Sequence, residues 1–376
     1  MVVVKEVSTK KDIKVFASYP LKLYQDCPYY VPSLSADEIN TLNPNKNFSL
    51  AECDCKCFLA YRDGEVVGRI AGIINRTYNK LNQRKCIRFS RLDCINDIEV
   101  FRALFSAVEQ FGKQKGMEVI HGPWGFNDTD REGMLTYGFD RRSTYATNYY
   151  YPYFSEKMPE LGFRDESKWI ERSFSIPKEP YDKIVRISKR LKNRLRVKDV
   201  AETVKEILSK YSDGFFETLN DAYGHLDGYV PVEGKARENV LKQFASIVNT
   251  RYISFLVDEK GDVAGFGIVL PSICNALIKH KGKLFPTGFI NVLYSIKKPK
   301  ELEMALIGIK QKYKNSGINS IIINRIMLNI IEDGIDHLES NPMLETNLEI
   351  QQQWKFAENE IIKRRQTYIK EIGIAE

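Results

Sequence analysis

The sequence predicts a mixed α/β protein (α+β in detail) made of two similar halves in tandem, each a mixed central sheet flanked by helices. Three observations lead there. Segments with strand-like and helix-like apolar periodicity alternate along the chain. Two hairpin signals, Asp63-Gly64 and Lys260-Gly261, each separate a pair of apolar runs. The order of elements around the first signal recurs around the second, as an internal duplication would leave it. The chain's 376 residues suit two domains, expected over 1–172 and 181–376.

Val2 to Val7 is β-branched and reads as a strand. Ser8 or Thr9 then caps a helix running to about Tyr24. Cys57 to Arg62 and Glu65 to Asn75 form the first hairpin, and Cys86 to Leu92 the next strand. Val100, Leu104, Ala107, Val108 and Phe111 lie at helical spacing in a helix over 98–116 that Gly116 ends. Met117 to His121 is a short strand, and Pro152 to Leu161 is helical. Pro177 and Pro180 mark a linker over 173–180. The second half starts with a strand over 195–200 and helices over 201–211 and 236–249. Its hairpin spans 253–270. A strand over 301–310, a helix over 317–333, a strand over 335–339, a helix over 348–357 and a last strand over 364–371 complete it.

Composition limits the function classes. Hydrophobic residues make up 43 % and charged residues 28 %, which excludes a disordered or fibrous chain. The most apolar windows, such as Phe289 to Ile296, fall short of the ~20 residues of a membrane span. Met1 to Lys14 lacks the apolar run of a signal peptide. A cytoplasmic location is expected, with peripheral contact at the inner membrane face as an alternative. The net charge of +7 is compatible with anionic ligands or surfaces and selects none. Seven cysteines in such a chain read as reduced thiols.

The order strand, helices, antiparallel hairpin, strand, crossover helix, strand resembles the GNAT acyltransferase fold, and its repetition resembles the tandem-GNAT proteins. Three strings narrow the resemblance. One runs from Gly122-Pro123-Trp124-Gly125-Phe126-Asn127 to Tyr137-Gly138-Phe139-Asp140. The second runs from Pro152-Tyr153-Phe154 to Leu161-Gly162-Phe163. The third runs from Val269-Leu270-Pro271-Ser272 to Phe285-Pro286-Thr287-Gly288. They are similar to segments of a bacterial family of tandem GNAT-like proteins, to which the bacterial ceramide synthases are similar. The resemblance implies an N-acyltransferase that uses acyl-CoA or acetyl-CoA as co-substrate and no metal. It implies a small-molecule or lipid amine as acceptor, with a long-chain acyl group and a sphingoid-type base as one form. An aminoacyl-tRNA-dependent peptidoglycan transferase and a non-catalytic acyl-CoA or lipid-binding protein are the alternatives; no nucleic acid is expected.

The resemblance also places the sites. A GNAT enzyme holds the CoA pyrophosphate on backbone N–H groups at a strand-to-helix junction, where a helix N-terminus favours an anion. The matching segment gives Ile309, Lys312, Lys314, Asn315, Ser316, Gly317, Ile318 and Asn319 as the co-substrate loop, with Lys310 adding charge. Asn319 departs from the small residue usual there. The first half has Asp93-Cys94-Ile95-Asn96-Asp97 instead, whose carboxylates would repel a phosphate. Glu345 is the candidate base, Asn347 a positioning group (or a plain N-cap), and Tyr368 the candidate acid (or a core tyrosine). Trp124, Phe126, Asn127, Asp128, Asp130 and Glu132 form a loop suited to a cationic amine, with Tyr153 and Phe285 as further substrate contacts. His121, at a strand end beside that loop, reads as structural rather than as a base. Cys53, Cys55 and Cys57 alternate on one face, but nothing supplies a fourth ligand at zinc-finger spacing. Basic residues crowd 183–198, and lysines bracket the apolar segment Leu284 to Tyr294. That segment reads as a packed insertion, a membrane-interface segment or the wall of an acyl tunnel.

Overall fold

A computed structural model describes residues 1–127, 130–200, 203–226, 228–355 and 357–373. Its fourteen strands form one sheet: β1 Val2–Glu6, β2 Cys53–Arg62, β3 Glu65–Asn75, β4 Cys86–Cys94, β5 Val119–Gly122, β6 Met134–Tyr137, β7 Arg164–Ser175, β8 Lys198–Asp199, β9 Ile253–Val257, β10 Val263–Pro271, β11 Glu301–Ile309, β12 His337–Ser340, β13 Met343–Leu344 and β14 Asn359–Glu371. The order across the sheet is β1-β2-β3-β4-β5-β14-β7-β12-β11-β10-β9-β8, with β6 on β14 and β13 on β7. Among the described residues the pairing is parallel only at β4–β5 and β11–β12. Each parallel pair is joined by an amphipathic crossover helix, Ile98–Gln114 or Asn319–Glu332.

The order reads the same from both ends, and its centre is an exchange. β5 is flanked by the C-terminal β14, while β12 is flanked by β7 from the first half. β7 and β14 pair with each other along most of their length. Each half thus lends the other the strand beside its parallel pair. A buried charge network lies on this seam: Lys363 Nζ is 3.0 Å from Glu171 Oε2 and 2.9 Å from Glu339 Oε2, and Arg365 pairs with Glu171.

Glycines allow the crossover helices to pack close. A Cβ on Gly68 would come within 2.9 Å of Leu104 Cδ1, and one on Gly267 within 2.3 Å of Ile322. The cores lie under these helices, with Val100, Leu104 and Val108 in one half and Ile322, Ile326 and Ile330 in the other.

Several sequence expectations are corrected. The expected linker begins inside β7, which runs to Ser175. That strand escapes notice because its residues are mostly polar, and one of them, Glu171, is buried only because Lys363 and Arg365 meet it. The strand expected over 195–200 shrinks to Lys198–Asp199, because the basic segment before it is a helix, Asp182–Leu195, ended by Arg196 at φ 51°. The helix expected over 201–211 is Val204–Tyr223, capped by Thr203, and residues 201–202 lie outside the described residues. The helix expected over 348–357 spans only Leu348–Gln352, and β14 begins earlier than expected, at Asn359.

Candidate active site

β12 pairs with β11 only over Glu301 to Met304. Beyond Met304 the two strands part. The register of β11 against β10 also skips Ala305, a bulge that turns the strand at the point of parting. An apolar cavity of about 250 Å³ fills the gap. Ala305, Leu306 and Ile307 form one wall and Ile322, Ile326 and Met327 of the crossover helix the floor, while Tyr223 and Tyr229 close it above. Its polar groups are few: Asp130 and Glu132 from the first half, with Ser340, Asn341 and Asn347 from the second.

Tyr223 sits on the open edge of β11. The Ile307 N–H donates to Tyr223 Oη at 3.3 Å, and the hydroxyl lies 3.2 Å from the Ile307 carbonyl, to which it donates. A neighbouring strand would take the same two groups.

A second pocket of about 380 Å³ lies at the far end of β11. Ile309, Lys314, Asn315, Gly317, Ile318 and Asn319 line it, and Ile307, Asn347 and Ile350 border both pockets. Asn315 at φ 62° and Gly317 at φ 83° turn the chain into the Asn319–Glu332 helix. That helix has no carboxylate in its first turn. The Ser320 and Ile321 amides are taken by Gly317 and Ile318 carbonyls, whereas the Asn315, Gly317 and Asn319 amides make no hydrogen bond among the described residues. Free amides at a helix N-terminus fit a pyrophosphate.

The loop lysines are less available than their sequence suggests. Lys310 pairs with Glu217 at 3.0 Å, Lys312 with Asp258 at 2.7 Å and Lys314 with Glu349 at 3.1 Å. Lys312 does not line the pocket. Burial would raise the Asp258 carboxyl, but hydrogen bonds from Lys312, the Asp262 amide and Tyr313 hold it down at about 2. Ser316 is turned inward: its Oγ accepts from the Ile318 amide at 3.3 Å and its carbonyl from Arg194 at 3.1 Å. In the first half, the Asp97 carboxylate takes the Glu99 amide at 2.9 Å and pairs with Arg62 at 2.7 Å, so its own side chain caps that helix.

The structure separates the candidate catalytic residues. Asn347 borders both pockets, and its side chain also accepts from the Ile350 amide as an N-cap. Glu345 lies outside the cavity, ion-paired with Arg364. Tyr368 is buried in the first half's core opposite Gly122, because β14 belongs to that part of the sheet. Burial pushes its hydroxyl far above the usual range.

Of the expected substrate contacts, Glu132 lines the cavity. Trp124 packs edge-on against Trp169, a cavity residue, at 5.4 Å. Phe126 is buried with Cys53 and Ile73, and Asn127 donates to Ser49 Oγ at 3.2 Å. Asp128 lies outside the described residues. Tyr153 donates to the Cys94 carbonyl at 2.7 Å within the first core. Phe285 is 79 % exposed, and neither it nor the rest of 284–294 lines the cavity, so the tunnel-wall reading fails. Asp130 Oδ2 accepts from the Phe126 amide at 2.7 Å, which folds the loop so that Asp130 and Glu132 reach the cavity. His121 is buried 3.2 Å from Glu166, and desolvation lowers its pKa despite that carboxylate. Among the described residues no group of side chains could hold a metal ion.

Sequence reasoning missed Tyr223 and Trp169. Tyr223 ends a helix whose length was underestimated, and Trp169 lies on the unrecognised β7. An aromatic residue next to a turn carries no signal that it will cover a distant strand edge.

This architecture is the tandem GNAT fold. The chain superposes over its full length on a tandem GNAT protein from the clavulanic acid biosynthesis pathway, covering all of that chain, with a TM-score of 0.59 at 10 % identity. It also superposes on a GCN5-related N-acetyltransferase from Sphaerobacter thermophilus, with a TM-score of 0.51 at 10 % identity, covering 100 % of this chain and 97 % of that one. In sequence it is 25 % identical to the Escherichia coli protein YghO, over 96 % of this chain and 94 % of that protein. It is likewise 25 % identical to a bacterial ceramide synthase from Caulobacter vibrioides, over 82 % and 81 % of the two chains. No family model matches the chain.

Proposed function

We propose that the chain is an acyl-CoA-dependent N-acyltransferase whose second half binds the thioester and whose first half helps to receive the amine. One observation carries this reading: the pocket at the helix N-terminus and the apolar cavity share Ile307, Asn347 and Ile350 along the edge of β11. A molecule with an anionic head and an apolar tail can lie along that edge. The Asn315, Gly317 and Asn319 amides would hold the pyrophosphate, and the backbone edge at Ala305, beside the Ile307 amide that Tyr223 covers, would meet the thioester oxygen as it becomes anionic. Acyl-CoA would supply the acyl carbon, activated as a thioester.

Asp130 and Glu132 give the cavity a negative end that favours a cationic amine. Once neutral, the amine nitrogen bonds to the thioester carbon and the carbon–sulfur bond breaks. The nitrogen's proton passes to a carboxylate, and the thiolate leaves as thiol after taking a proton. Glu132, which lines the cavity beside Asp130, is the candidate base. The aliphatic cavity lining favours a long acyl chain, and an acceptor with a long tail of its own, such as a sphingoid-type base, would suit the similarity to a ceramide synthase.

The test is direct. The purified chain is incubated with palmitoyl-CoA or acetyl-CoA, with and without a long-chain amino alcohol, and the amide is sought by mass spectrometry. Amide from palmitoyl-CoA in preference to acetyl-CoA is expected. Thioester binding with no amide and no thiol release would favour a binding protein instead.

A further inference from the structure

We infer that the helical hairpin over 274–300 is a docking surface for an anionic lipid bilayer. The inference goes beyond acyl transfer and does not depend on it.

Two short helices, Cys274–His280 and Gly288–Lys297, pack against each other at one side of the molecule. The second helix has two apolar faces. Val292 and Ile296 face inward onto a cluster containing Val31, Ile273 and Leu277. Phe289, Ile290, Leu293 and Tyr294 face outward, at the spacing of a single helix face. Ile290 is 54 %, Leu293 49 % and Tyr294 60 % exposed, and Phe285, 79 % exposed, extends the patch from the preceding loop. The Phe285 and Phe289 ring centres are 5.8 Å apart. Scattered apolar residues on a surface need no explanation, but a contiguous group of five large ones does.

The charge around the patch says what covers it. Residues 279–300 hold six lysines (279, 281, 283, 297, 298 and 300) and no aspartate or glutamate. All six lysines are exposed, and none is ion-paired among the described residues. Lys310, Lys312 and Lys314, by contrast, each meet a carboxylate. Aliphatic and aromatic tips ringed by uncompensated lysines match the boundary between acyl chains and anionic headgroups. A second copy of the chain on this face would bring like charges together, and a nucleic acid would leave Ile290 and Leu293 without apolar partners.

The full chain is sedimented with vesicles of phosphatidylcholine alone or of equal parts phosphatidylcholine and phosphatidylglycerol, with no substrate present. Salt-sensitive binding to the anionic vesicles is expected. The combined variant Phe289→Ser, Ile290→Ser, Leu293→Ser should weaken it by about tenfold or more. Each of Lys297→Gln, Lys298→Gln and Lys300→Gln should weaken it by about fivefold while leaving the apolar patch intact. Because all these side chains are exposed, thermal melting should be unchanged. A parent chain that stays in the supernatant overturns the proposal, as does a serine variant that binds like its parent. A dimer in sedimentation velocity that the serine substitutions dissolve would assign the patch to self-association and overturn it equally.

Discussion

Lys363 of β14 and Glu171 of β7 are both fully buried, with Nζ and Oε2 3.0 Å apart, and the pair joins the strands that the two halves exchange. Glu339 of β12 completes the arrangement at 2.9 Å from the same ammonium, and the Arg142 carbonyl accepts from it at 3.0 Å. Isolated buried charges are costly, so removing one member exposes the desolvation of the others. Lys363→Met should lower the unfolding free energy by about 3–5 kcal/mol, measured by urea denaturation. Adding Glu339→Gln should recover part of the loss, because it leaves Arg365 paired with Glu171. An unchanged denaturation midpoint in Lys363→Met would mean the network contributes nothing to the seam.

The co-substrate loop makes a prediction in which stability and binding move apart. A carboxylate in the first turn of the Asn319–Glu332 helix is favourable for the helix by itself. It is unfavourable for an incoming pyrophosphate. Asn319→Asp should therefore leave the melting temperature equal or slightly higher, while weakening acyl-CoA binding by about tenfold. Calorimetric titration with a non-hydrolysable acyl-CoA analogue measures the second quantity. Affinity unchanged from the parent would remove the phosphate from that helix N-terminus.

Glu132 and Glu345 differ in where they lie. Glu132 lines the cavity, whereas Glu345 is paired with Arg364 outside it. Glu132→Gln should reduce turnover by about a hundredfold with acyl-CoA affinity retained, the usual size of a lost general base. Glu345→Gln should alter turnover by less than about threefold, since an exposed ion pair contributes little. Steady-state kinetics of thiol release decide between them, and the opposite ranking would return the base to Glu345.

These contrasts show which parts of the molecule the residues spell out. Hairpin turns, caps and crossover helices are local, so Thr9, Asp63-Gly64 and the spacing from Val100 to Phe111 suffice to read them. The strand exchange is not local. β7 is polar along its length, and Glu171 is acceptable there only because Lys363 and Arg365 arrive from far along the chain. The Gly317 junction is legible because a positive φ needs few residue types. Its lysines mislead for the same reason β7 does, since Glu217, Asp258 and Glu349 come from other elements. Glu132 is legible because its loop resembles a family segment, whereas Tyr223 depends on the length of a helix and the geometry of a strand edge.

Acid should unfold this protein through a small set of buried carboxylates. Burial would raise Glu38, Asp258 and Glu339, but each is held down at about 2. Arg91 and Arg69 do this for Glu38, Lys312 with backbone amides for Asp258, and His337 with Lys363 for Glu339. A carboxyl whose folded value lies below its unfolded one adds stability that is complete above the unfolded value. That stability disappears as pH falls toward the folded value. Glu303 runs the other way: burial raises it against hydrogen bonds from Ser272, Cys274 and the Tyr145 amide, so protonation in acid relieves it. Asp37 is raised as well, but Asp12, Asp97, Glu166 and Asp333 are lowered, so the lowered carboxyls outnumber the raised ones and the melting temperature should drop steadily from about pH 5 toward pH 2. Glu38→Gln should flatten that slope while lowering stability at neutral pH, because Arg69 and Arg91 would lose a buried partner. A melting temperature that holds level down to about pH 3 would show that these carboxylates are not held as low as their partners imply.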